Sequence, residues 1–118
     1  IDADSIVQGV REEDTAFAAP GLNADGIQLE HAGYAAQTAA DWSDDYSRRM
    51  LARSAKLVAG ICARHGIPIA FVDAAGLLRG ERGITTHAEV TKAYRQSTHT
   101  DPGKAFPMTA YLAAVLAG

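Results

Sequence analysis

A chain of 118 residues, 47% hydrophobic and 21% charged, has the size of one domain and enough apolar material for a core, which excludes a disordered tail. Eleven basic against fourteen acidic side chains give a net charge of -3 and a pI near 5.7, which argues against a nucleic-acid or anionic-membrane binder. A single cysteine, Cys62, excludes an internal disulfide and an all-cysteine metal site, and no apolar run approaches the roughly 20 residues that span a bilayer.

Taken in chain order, Ile1 to Val10 places two short apolar runs around a polar Ala-Asp-Ser turn, the pattern of a hairpin. Pro20-Gly21 marks a loop. Gly26 to His31 alternates apolar and polar side chains, so it reads as a strand with Ile27 and Leu29 inward and Gln28 and Glu30 on the other face. Residues 43–65 read as a helix. Ser43 is the expected N-cap, Asp44 and Asp45 suit the positive end of the dipole, and Arg64 and His65 suit the negative end. Met50, Leu51, Ser54, Leu57, Val58, Ile61 and Cys62 share one face of it, and Gly66 then Pro68 end it.

Ile67 to Val72 reads as a buried strand, residues 73–86 as a glycine-rich loop, and Glu89 to Tyr94 as a helical turn. Thr100 to Gly103 is another loop. Pro107 opens a terminal helix running to about Ala117, with Met108, Leu112, Val115 and Leu116 as its core stripe. Strands, a long helix, a strand and a terminal helix together predict an α/β or α+β domain.

Most residues that could carry chemistry have a plainer use. His65 suits the end of a helix dipole, His31 suits packing or a strand end, and Cys62 lies on an apolar helix face. No G-x-S-x-G elbow occurs, and Gly76 to Gly83 lacks the G-K-[ST] ending of a phosphate cradle. Arg79 and Arg82 in that stretch are candidates for holding a peptide carboxylate. What remains is His87, in Thr86-His87-Ala88-Glu89, and Asp101, in His99-Thr100-Asp101-Pro102-Gly103. Imidazole and carboxylate are both zinc ligands, and a catalytic zinc needs three protein ligands with a fourth position for water. The same two residues could equally serve a metal-free domain by hydrogen-bonding to each other.

The order His87, then His99-Thr100-Asp101-Pro102-Gly103, then Phe106-Pro107 resembles the late signature of the type 2 N-acetylmuramoyl-L-alanine amidases, the zinc amidases that include the peptidoglycan recognition proteins. Asn23 to Glu30 is similar to that family's asparagine-to-strand segment, and Asp14-Thr15-Ala16-Phe17 and Arg64 to Pro68 fall where the family has comparable pieces. The style looks most like amidase domains of endolysins from phages of mycobacteria and their relatives.

The resemblance implies a mixed β-sheet flanked by the long central helix and the C-terminal helix, in a single domain over residues 1–118. It implies a zinc hydrolase that cuts the amide between N-acetylmuramic acid and L-alanine in peptidoglycan. His87 and Asp101 would be the second and third zinc ligands. The first family histidine would lie upstream of Ile1, so the domain is expected to be truncated at its N-terminus. The family's lysine position falls on His99, which would donate to the oxyanion, and its general-base carboxylate falls on Gln28, with Glu30 two residues on and on the same face.

A peptidoglycan-binding module of the same fold without catalysis is the alternative. Expected partners are peptidoglycan and further domains of a longer protein, with no nucleic acid and no membrane insertion. An endolysin would act at the cell wall after release from the host cytoplasm. Any other such amidase would act at the wall from outside.

Overall fold

The computed structural model describes residues 1–118 as five helices joined by irregular segments: α1 (Ala39–Trp42), α2 (Asp45–His65), α3 (Ala74–Leu78), α4 (His87–Tyr94) and α5 (Met108–Ala117). The predicted long helix is α2, two residues shorter at its start. Asp44 caps it by accepting the Ser47 N–H at 2.7 Å, while Ser43 ends α1 instead, its hydroxyl donating to the Ala39 carbonyl at 2.7 Å. At the other end Gly66 adopts φ 62°, a left-handed conformation that costs glycine least, and returns its N–H to the Cys62 carbonyl.

The apolar face of α2 lies against α5, and Ala55, Val58 and Cys62 meet Tyr111 and Val115 in one core. Sequence periodicity is a weaker guide in α5, whose residues are nearly all apolar. Tyr111 and Val115 are buried there, whereas Leu116, expected in the core, is 66% exposed. A second, smaller core gathers Ala19, Val72, Leu77 and Val90, so it ties the early loops to α3 and α4. Residues 73–86, predicted as loop throughout, contain the one-turn helix α3, capped by Asp73 accepting the Gly76 N–H at 2.8 Å.

The predicted mixed β-sheet is not present, and the α/β assignment is therefore corrected to a mostly helical fold. The only strand-like pairing assigned is an isolated parallel bridge between Phe71 and Ile84, with bonds of 2.8 Å from Ile84 N to Ala70 O and from Val72 N to Ile84 O. The expected hairpin over residues 1–10 fails for a local reason. The Asp2 carboxylate accepts from Asp4 N at 2.8 Å and from Ser5 N at 2.6 Å, closing a turn that competes with strand pairing. Residues 26–31 are without regular structure. Their backbone bonds to Ile1 alone, Ile1 N to Glu30 O at 2.8 Å and Ala32 N to Ile1 O at 2.9 Å. Alternation of side chains describes an extended, half-buried segment, but a sheet needs neighbours along its whole edge.

Candidate active site

His87 is the first residue of α4, which Thr86 caps by accepting the Glu89 N–H at 3.2 Å. The first N–H groups of a helix have no partner within it. The Asp101 carbonyl accepts one of them, from Ala88, at 3.0 Å, and the Thr91 hydroxyl donates to the His99 carbonyl at 2.7 Å. These two bonds dock the Thr100–Gly103 turn on the start of α4. Gly103 sits at φ 89° with its Cα pressed against the Ala35 backbone, where any Cβ would collide with the Ala35 carbonyl. The turn is thus held from both sides.

Docked this way, Asp101 Oδ1 lies 3.5 Å from His87 Nδ1 and 3.9 Å from His99 Nδ1, and the two imidazole rings stack with centroids 5.0 Å apart. His87 is 14% exposed and His99 71%, so the cluster has a buried member and a solvent-facing one. The His87 Nε2 atom is buried and has no hydrogen-bond partner.

For a zinc ion, His87 and Asp101 fit two positions. Their 3.5 Å separation is too long for a charge-assisted hydrogen bond of about 2.7–2.9 Å. It is near the edge of about 3.3 Å that two ligands span in a zinc tetrahedron with bonds of about 2.0–2.1 Å. No set of three His, Cys, Asp or Glu side chains converges on a common point anywhere in the chain, so a third protein ligand is not supplied.

The other predicted site residues lie in separate surroundings. Gln28 Nε2 is buried without a partner and folds over Gly26, whereas Glu30 is exposed. The sheet face that would have aligned them does not form. Arg79 Nε donates to Glu81 Oε2 at 2.6 Å. Arg82 donates to the His65 and Gly66 carbonyls at 2.9 and 3.2 Å and so closes the end of α2. Both guanidinium groups serve the fold. A cleft of about 740 Å³ lies between Ala3, Asp4, Ile6 and the outer face of α2, and none of the predicted site residues lines it.

One buried polar cluster was not foreseen. Ser54 Oγ, fully buried on α2, lies 2.6 Å from His31 Nε2 and 2.7 Å from Tyr111 Oη. Burial lowers the His31 pKa to about 4. The signal was a serine in the middle of an apolar helix face, since a buried hydroxyl must find a partner.

Residues 1–104 match the family model of N-acetylmuramoyl-L-alanine amidase, a span that contains His87, His99, Asp101, Gln28 and Glu30 and stops before α5. These are hydrolases of peptidoglycan. The chain belongs to the N-acetylmuramoyl-L-alanine amidase family. No curated protein and no solved structure matches it.

Proposed function

We propose that this chain cleaves the amide joining the lactyl group of N-acetylmuramic acid to L-alanine of the stem peptide, with His87 and Asp101 as protein ligands of a zinc ion. The observation that carries the reading is the 3.5 Å approach of Asp101 Oδ1 to His87 Nδ1 on a turn seated by the Ala88–Asp101 bond. Zinc bound there would lower the pKa of its water toward about 7 and polarise the amide carbonyl.

The chain's own residues supply the rest. His99, exposed and stacked on His87, would donate a hydrogen bond to the oxygen of the tetrahedral intermediate, an interaction worth several kcal/mol when the donor is held in place. The Gln28 amide at the family's base position cannot take the proton, and Glu30, the ionisable group two residues on, stands apart from His87 and Asp101, which leaves the proton to water. On this reading the place of action is the cell wall, reached from the host cytoplasm at lysis if the chain is part of a phage endolysin.

A second reading rests on one observation. With two converging zinc donors instead of three, and an amide where the base would stand, the chain would hold muropeptide without cutting it. Incubation with a defined muropeptide, with zinc or with chelator, separates the two. Release of an L-alanine-terminated peptide that stops on chelation supports the amidase. Retention of intact muropeptide that persists through chelation supports the binding module, and the absence of both cleavage and retention overturns both readings.

A further inference from the structure

Ser54 Oγ has one proton and two partners, His31 Nε2 and Tyr111 Oη, and those are its only hydrogen bonds. If Ser54 donates to His31, Tyr111 donates to Ser54 and every buried proton has an acceptor; the His31 ring proton is then on Nδ1. If the order is reversed, His31 Nε2–H donates to Ser54 and Ser54 to Tyr111. The Tyr111 hydroxyl proton then faces an apolar interior with no acceptor, which is the costly arrangement.

The rings at both ends of this chain also line one cage. Phe106 lies 6.2 Å from His31, 5.6 Å from Tyr111 and 5.0 Å from Trp42, centroid to centroid. Its N–H closes the turn by donating to the Gly103 carbonyl at 3.2 Å.

We propose that Tyr111, Ser54 and His31 form a hydrogen-bond chain of one polarity, running from Tyr111 to His31, that seats the turn carrying Asp101 only while His31 is neutral. Protonation puts a hydrogen on Nε2, reverses the chain and loosens two walls of the Phe106 cage. The titratable groups facing His31 are few. From the N-terminal segment comes the Asp2 carboxylate, which with Glu30 borders an open cleft of about 290 Å³ beside the ring. From α5 comes Tyr111, with the Cys62 thiol of α2 in the same core. Neither carboxylate hydrogen-bonds the ring, so a proton arriving there finds its outlet only through Ser54. The three are positioning residues. Their bearing on catalysis rests on the role given to Asp101 above, whereas the proton order does not.

The test is nitrogen-15 NMR of the His31 ring together with amide-exchange protection at Gly103 and Phe106, from about pH 7.5 to about pH 3, without metal or muropeptide. The neutral ring is expected to carry its proton on Nδ1, and protection at both amides is expected to fall as His31 titrates. Ser54→Ala removes the donor to the neutral ring and should raise the His31 midpoint by about one pH unit, carrying the loss of protection with it. A neutral ring protonated on Nε2, or protection at Phe106 that ignores the His31 titration, overturns the proposal. Should Ser54→Ala fail to fold, Tyr111→Phe keeps the Ser54 donation and must keep the Nδ1–H form; a switch to Nε2–H overturns it. Muropeptide cleavage by the same samples is scored separately, so failure of the amidase reading leaves the tautomer result standing.

Discussion

Asp101 reaches His87 because its main chain, not its side chain, makes the stronger contact: the Asp101 carbonyl accepts the Ala88 N–H at 3.0 Å, while its carboxylate stops 3.5 Å from His87 Nδ1. The backbone bond sets the position. The carboxylate is left with unused acceptor capacity next to an imidazole whose other nitrogen is buried and unpartnered.

That division of labour separates ligand loss from fold loss. Asp101→Asn keeps the backbone bond and removes the anionic donor, so zinc retention in equilibrium dialysis is expected to drop by more than about tenfold. The unfolding free energy should change by no more than about 0.5 kcal/mol. A large loss of stability with unchanged zinc retention would make the pair structural.

His31 gives the fold an acid limit. Its folded pKa of about 4 lies below the ordinary value of 6.5, so between those values the unfolded chain binds more protons than the folded one. The stabilisation is therefore complete above about pH 6.5, is lost as pH falls toward 4 and is constant below it, with a ceiling of about 3 kcal/mol. Urea unfolding at about pH 7 and about pH 4.5 should show the loss, and His31→Gln should flatten it. Asp2, Glu12 and Asp44 are held below the usual carboxylate range by bonds from Asp4 N–H, Arg64 and Ser47 N–H. Their contributions fade in more acid solution, below about pH 4.5, and so do not mimic His31.

Two glycines with positive φ should respond differently to alanine. At Gly66 (φ 62°) an added Cβ meets nothing, and the cost is the conformational one of about 1 kcal/mol. At Gly103 (φ 89°) the same methyl adds a collision with the Ala35 carbonyl, so Gly103→Ala should cost more than about 2 kcal/mol and disturb the Asp101 turn. Equal melting temperatures for the two variants would contradict the close approach.

Neighbouring residues of α5 divide just as sharply. Val115 is 1% exposed against α2, so Val115→Ala should cost about 2 kcal/mol, whereas Leu116→Ala should stay within about 0.5 kcal/mol. Thermal unfolding of the pair checks which face of α5 is inside.

Much of the helical scaffold was legible in the sequence. Gly66 after Arg64-His65, and the recurrence of Met50, Ser54, Val58, Ile61 and Cys62, are enough to find α2, since a helix satisfies its backbone with residues four apart. The cap was placed one residue early because Ser43 and Asp44 are both good caps, and only the meeting of α1 and α2 assigns one to each helix. The strands could not be judged this way. Ile27 and Leu29 alternate with Gln28 and Glu30 as a strand would, yet the only backbone partner of that segment is Ile1.

By itself, then, the sequence determined what depends on near neighbours: the length of α2, its left-handed glycine end, and the donor chemistry of His87, His99 and Asp101. Tertiary structure alone decided that the Asp101 turn seats on the first turn of α4, that Arg82 is spent on the end of α2, and that no sheet forms. It also decided that Ser54 would find its partners 23 and 57 residues away, in His31 and Tyr111. A helix closes its own hydrogen bonds, but a turn docking on a helix end or a buried hydroxyl finding its acceptor depends on where the whole chain brings distant segments.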